Sequence, residues 1–171
     1  MEKYLGVKMI HAKEMTRQEY NNFRGWVLPE DENGADEGYL VEYLDGGKAN
    51  TPQYSGYVSW SPKDVFEKAY RRIDGLTFGL AIEALKQGKK VARKGWNGKG
   101  MFLWLKPATT VKSEWCRDEF LKGLCHANGG EIEALGTICM YTHDSTGRKA
   151  ILTGWLASQS DMLLEDWEII E

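Results

Sequence analysis

At 171 residues, with 42% hydrophobic and 27% charged residues, the chain has the make-up of a soluble globular protein, either one ordinary domain or two small ones. Its net charge of -3 and pI near 5.7 argue against a protein that coats long nucleic acid, which needs a basic face to displace counterions; a small local basic pocket stays open. No stretch reaches the roughly 18 to 20 apolar residues of a membrane span, and Met1-Glu2-Lys3-Tyr4 lacks the apolar core of a secretion signal, so the cytoplasm is the expected location.

Residues 1–72 read as a first α+β unit. Thr16 with Glu19 forms a capping box and Met15 with Tyr20 a hydrophobic staple, which predicts a helix from Arg17 that Gly25 ends. The acidic stretch from Val27 to Gly38, with Pro29 and Asn33-Gly34, reads as a solvated loop. Tyr39 to Leu44 and Gly56 to Trp60 follow as two strands around the turn Asp45-Gly46-Gly47. Ser61-Pro62-Lys63-Asp64 then opens a second helix, with Ser61 as cap and Pro62 in the first turn. No chemistry stands out in this unit, which suits an interaction module.

Character changes at Arg71 to Gly75, and residues 73–171 read as a second unit: a helix packed on an antiparallel sheet. Phe78, Ala81, Ile82 and Leu85 recur at helical spacing with Gly88 as the stop. Lys89 to Lys94 and Met101 to Lys106 are predicted strands around Asn97-Gly98, the dipeptide best suited to a tight hairpin turn. A helix is expected from Ser113 to Ala127, then strands Leu135 to Tyr141, Ala150 to Leu156 and Trp167 to Ile170. Trp104, Trp115 and Trp167 are assigned to packing.

The three cysteines, Cys116, Cys125 and Cys139, have no framework spacing and read as reduced thiols. A zinc set could be assembled from Cys125, His126, Cys139 and His143, but no C-x-x-C knuckle supports it, so no metal is expected. No motif calls for a cofactor.

Two tryptophan-centred segments carry the ligand chemistry. Arg93-Lys94-Gly95-Trp96-Asn97-Gly98-Lys99-Gly100 combines close backbone approach at glycine, positive charge and an indole face. Trp96 is either a base-stacking platform or a hydrophobic plug; Arg93 either pairs with an acid or grips a phosphate bidentately. Asn97 and Gly98 are a turn, or an amide and a backbone that read the edge of a base or ribose. In Gly154-Trp155-Leu156-Ala157-Ser158-Gln159-Ser160-Asp161, Ser158 caps a short helix, whose free N–H groups suit an anion. Asp161 either completes that cap or accepts hydrogen bonds from a ribose or a base amine. A flat π surface beside positive dipoles is nucleotide chemistry. No nucleophile lies beside a general base, so binding without catalysis is expected.

From Leu76 to Glu168 the chain resembles the Thoeris anti-defence protein two family, small phage proteins that sequester immune signalling nucleotides. The elements that match are Thr77-Phe78-Gly79-Leu80-Ala81-Ile82-Glu83-Ala84-Leu85, then Val91 to Met101, then Gly154 to Trp167. The resemblance implies a homotetramer with interface pockets for glycocyclic ADP-ribose, and, from longer relatives, cyclic di- and trinucleotides of CBASS defence as further ligands. It implies ligand contacts at Arg93, Trp96, Asn97, Gly98, Met101, Trp155, Ser158, Gln159 and Asp161. Residues 1–72 and the stretch from Ser113 to Ala127 are additions to the shortest family members.

Two rivals remain. Gly95-Trp96-Asn97-Gly98 fits the G-x-x-G loop of single-stranded nucleic-acid-binding KH domains, which the acidic pI opposes. A hydrolase of ADP-ribose-like or cyclic nucleotides would draw on His126, Glu131, His143 and Asp161, which no spacing unites.

Overall fold

Thr16 opens the first helix by a reciprocal cap: its hydroxyl accepts from Glu19 N at 3.2 Å while its own N–H donates to the Glu19 carboxylate at 2.7 Å. Gly25, at φ 68°, ends that helix in the left-handed region. The structure is a computed structural model that describes residues 1–3 and 6–170. The chain divides into two compact units, Met1–Arg71 and Arg72–Glu171. Both mix helices with antiparallel sheet, an α+β architecture.

The first unit runs β1 (Ile10–Glu14), α1 (Arg17–Arg24), β2 (Gly38–Tyr43), β3 (Tyr57–Pro62) and α2 (Lys63–Ala69). Its sheet has the order β1-β2-β3, antiparallel throughout. Tyr20, Leu40 and Val58 form a small core, and Phe66 of α2 stacks on Tyr39 at 4.1 Å. Strand β1 escapes the sequence because its residues, His11 and Lys13 among them, are almost all exposed at a sheet edge. The Ser61 cap is corrected: β3 continues through Ser61, Pro62 holds the cap position, and α2 begins at Lys63 without a side-chain cap.

The second unit runs α3 (Phe78–Lys86), β4 (Lys90–Arg93), β5 (Phe102–Lys106), β6 (Thr109–Lys112), a 3-10 turn (Ser113–Trp115), α4 (Glu119–Ala127), β7 (Glu131–Ala134), β8 (Thr137–His143), β9 (Lys149–Thr153), α5 (Gln159–Leu163) and β10 (Trp167–Ile170). Five strands form one antiparallel sheet in the order β10-β4-β5-β8-β9. Register aligns Ile169, Val91, Leu103, Met140 and Leu152 across it. Because side chains alternate along each strand, these five share one face. Val91 and Leu103 are fully buried there with Ala81 and Leu85 of α3. Burial of each such aliphatic side chain contributes about 1.5 to 3 kcal/mol.

Three expectations change. No tight turn forms at Asn97-Gly98, because neither residue has the positive φ that a two-residue hairpin turn needs; Gly100, at φ 73°, is the left-handed position in the link between β4 and β5. The expected helix from Ser113 to Ala127 is a 3-10 turn and then α4, whose N-cap is Asp118, accepting from Leu121 N at 2.8 Å. A hairpin of β6 and β7 flanks both. Trp115 is not packed: it is 62% exposed, with the Lys112 ammonium over its ring.

Candidate functional site

Strand β4 delivers Arg93 opposite Trp167 of β10, and this register assembles the site. The Arg93 side chain donates from Nε and Nη2 to both oxygens of Asp166, at 2.7 and 3.1 Å, and from Nη1 to Asp161 Oδ1 at 2.8 Å. Arg93 and Asp161 are each only 8% exposed. A buried guanidinium is tolerated because its charge and its donors are matched by two carboxylates. Hydrogen bonding to Asp166, with a smaller share from Asp161, holds the Arg93 pKa above its ordinary range. Arg93 in turn lowers that of Asp166.

Asp161 is the centre of this network. Its Oδ1 accepts from Arg93 and from Trp96 Nε1 at 3.1 Å; its Oδ2 accepts from the Ser158 hydroxyl at 2.7 Å and the Ser158 N–H at 2.9 Å. These four donors fill the acceptor positions of a carboxylate. Burial is the largest single influence on its pKa and pushes it up, but the hydrogen bonds from Arg93, Ser158 and Trp96 together outweigh it and bring Asp161 down to about 2. Its backbone carbonyl accepts from Trp167 Nε1 at 2.8 Å. One residue therefore fixes two indoles.

Those indoles belong to an aromatic cluster. Trp167 is fully buried, Trp96 meets it edge-on at 5.4 Å, and Trp155 lies 6.1 Å from both. Phe78 of α3 touches Trp155 and Trp167 at 6.4 and 5.6 Å. Trp96 and Trp155 are half-buried, so each has one part in the core and another at the surface.

Glycine permits the close approaches around them. A Cβ on Gly95 would sit 2.8 Å from Asp166 Oδ2, the oxygen to which Gly95 N donates at 3.1 Å. A Cβ on Gly98 would sit 1.9 Å from Met101 Sδ, so the Met101 side chain lies directly over Gly98. On the other segment, the Ser158–Asp161 box starts α5, and Trp155 N donates to Ile138 O at 2.9 Å just after Gly154 at φ 84°.

The fold thus joins Arg93, Trp96, Trp155, Ser158 and Asp161 in one cluster, with Met101 against the same core and Asn97 and Gln159 exposed on the flanking segments. The phosphate grip expected of Arg93 meets a guanidinium already held by two carboxylates, and the ligand contact expected of Asp161 meets a filled carboxylate. Asp166 and Phe78 were missed as members of the cluster. The signal for Asp166 was its place immediately before Trp167: a final strand paired with β4 brings it beside Arg93. His126, Glu131 and His143 lie on three separate elements, α4, β7 and β8. Cys125, buried in α4, faces Cys116, while Cys139 stands opposite Trp104 in the main sheet.

Residues 76–170 match the Thoeris anti-defense 2-like domain. Thoeris anti-defense 2 of Bacillus phage SP01 is 36% identical over 96 residues, 56% of this chain and 94% of that relative. The matched domain holds the whole Arg93–Asp161–Trp96 cluster and spans more than half of the chain, which belongs to the Thoeris anti-defense 2-like family, a family of phage anti-defence domains.

Proposed function

We propose that this protein is an anti-defence sponge that binds nucleotide-derived immune messengers, glycocyclic ADP-ribose first among them, and holds them without cleaving them. The observation that carries this is the pair of half-buried indoles, Trp96 and Trp155, fixed edge-on beside the glycine-rich link between β4 and β5. Indoles held so rigidly lose little freedom when a purine stacks on them. Asn97, Gly98, Met101, Ser158 and Gln159 border them and supply amide, backbone, thioether and hydroxyl contacts. Arg93 and Asp161 act from beneath as positioning residues: Asp161 holds the Trp96 indole directly and fixes Trp167, on which Trp155 packs. The Arg93 charge is taken up by Asp161 and Asp166, which leaves phosphate recognition to backbone N–H groups and to the exposed Lys94 and Lys99. Cyclic di- and trinucleotides of CBASS defence carry the same purines and phosphates and are further ligands.

The protein acts as a homo-oligomer, a tetramer by its family resemblance. Ile151, Leu152, Leu156, Leu163 and Leu164 are 49% to 88% exposed between β9 and the end of α5, apolar side chains that a second copy would cover. No helix among the described residues is long and apolar enough to cross a membrane. The host cytoplasm, where such messengers are made, is the proposed place of action.

The test is to incubate the purified protein with glycocyclic ADP-ribose, remove free ligand, denature by heat and identify what is released. Intact messenger is expected. An altered product would make the protein an enzyme, and nothing retained would refute the messenger assignment.

A further inference from the structure

The hairpin of β6 and β7, with the 3-10 turn and α4 between its strands, leaves the main sheet as a separate excursion. Between Thr109 and Ala134, one side chain is buried, that of Cys125. It faces a second thiol: Cys125 Sγ lies 3.8 Å from Cys116 Sγ, nine residues earlier in the chain. Both sulfurs are anchored to adjacent carbonyls of β6, Cys125 to Val111 O at 3.5 Å and Cys116 to Lys112 O at 3.4 Å. Cys116 is half-exposed and Cys125 is fully covered.

We propose that Cys116 and Cys125 are a redox pair that closes to an intramolecular disulfide on exposure to hydrogen peroxide. The sulfurs already touch, and closure requires them to approach by less than about 2 Å. Cys116, the accessible thiol, loses its proton to solvent and attacks one peroxide oxygen, giving a sulfenic acid and releasing the other oxygen as hydroxide, which takes up a proton to become water. Cys125 then attacks the sulfenic sulfur; the S–O bond breaks, the S–S bond forms, and a second water leaves with the Cys125 proton. Two thiols are oxidised and one peroxide is reduced. Burial, and then the contact with Cys125, raise the Cys116 pKa; of its charged neighbours, Asp118 reinforces this and Lys122 opposes it. Thiolate is therefore scarce at neutral pH, and closure is slow. Once formed, the link ties the end of the 3-10 turn to the last turn of α4, bracing an excursion that has little core of its own.

The full chain, treated with hydrogen peroxide and then alkylated under denaturing conditions, is read by intact mass and peptide mapping. Of its three cysteines, two are expected to become unavailable to alkylation, with a Cys116–Cys125 peptide pair recovered, and dithiothreitol restores both. Cys139→Ser should form the same link. Cys116→Ser, a change at a half-exposed position that spares the buried thiol, should fold and form none. Three free thiols after peroxide treatment of a folded chain would overturn the proposal. So would Cys116 oxidised alone to the sulfinic acid, or links found only between two chains.

Discussion

Trp96 Nε1 donates to Asp161 Oδ1 at 3.1 Å across 65 residues of sequence, and the same oxygen accepts from Arg93 at 2.8 Å. The ring proposed to stack a ligand is thereby held by a buried ion pair. The proposed binding surface and the stability of the fold share one set of atoms, so substitutions at the cluster are expected to change both in amounts that can be told apart.

Arg93→Met removes the partner of two carboxylates and strands Asp161, which is only 8% exposed. Breaking one side of a buried pair costs about 3 to 5 kcal/mol, and the denaturant midpoint should fall accordingly. An Arg93 engaged mainly with a ligand phosphate would instead lower affinity and leave the midpoint in place.

Trp96→Ala loses the Nε1 hydrogen bond, a stacking face and its packing on Trp167, so it should cost about 3 to 5 kcal/mol of stability as well as affinity. Trp96→Phe keeps an aromatic face and removes the Nε1 donor. Loss of one hydrogen bond to a charged acceptor predicts about 1.5 to 3 kcal/mol less stability, with most of the messenger affinity retained. Thermal melts beside titration calorimetry separate the two effects.

Acid should loosen the cluster in a defined window. The Asp161 carboxyl is lowered to about 2 in the folded chain, below its ordinary value of 3.8. Its contribution is therefore complete above about pH 4, and is lost as pH falls through the folded value near 2. The shift corresponds to about 2 kcal/mol. Asp161→Asn should lower stability at pH 7 and flatten the decline between pH 4 and pH 2; an unchanged decline would remove Asp161 from its cause.

Leu156→Glu combined with Leu163→Glu places charge on two of the most exposed apolar positions, 88% and 75%. Light scattering should show an oligomer for the wild type and smaller species for the variant, at unchanged helix content. Equal mass for the two would move the interface elsewhere.

Short-range chemistry was legible in the sequence. The Thr16–Glu19 and Ser158–Asp161 boxes, the Gly25 stop and the apolar stripe of α3 depend on residues at most a few positions apart. What the sequence hid depends on register. Arg93 meets Asp166 across 73 residues only because β10 pairs with β4, and no local pattern encodes that choice. Asn97-Gly98 promised a tight turn, but Trp96 is drawn to Asp161 and Gly95 to Asp166, and together they hold the link open. Strands β1 and β6 stayed invisible because their side chains lack the regular alternation of covered and exposed positions that marks a strand, and β7 alternates over only four residues, too few to stand out.

The most direct test is a titration of the intact protein, labelled with nitrogen-15 at its seven tryptophans, with glycocyclic ADP-ribose. Each indole N–H gives its own signal. Messenger stacked at the candidate site should shift the Trp96 and Trp155 signals in a saturable way and leave those of Trp26, Trp60 and Trp115 in place. Saturation that moves only the signals of Trp26, Trp60 or Trp115, or a titration that moves none of the seven, would contradict a messenger site built on Trp96 and Trp155.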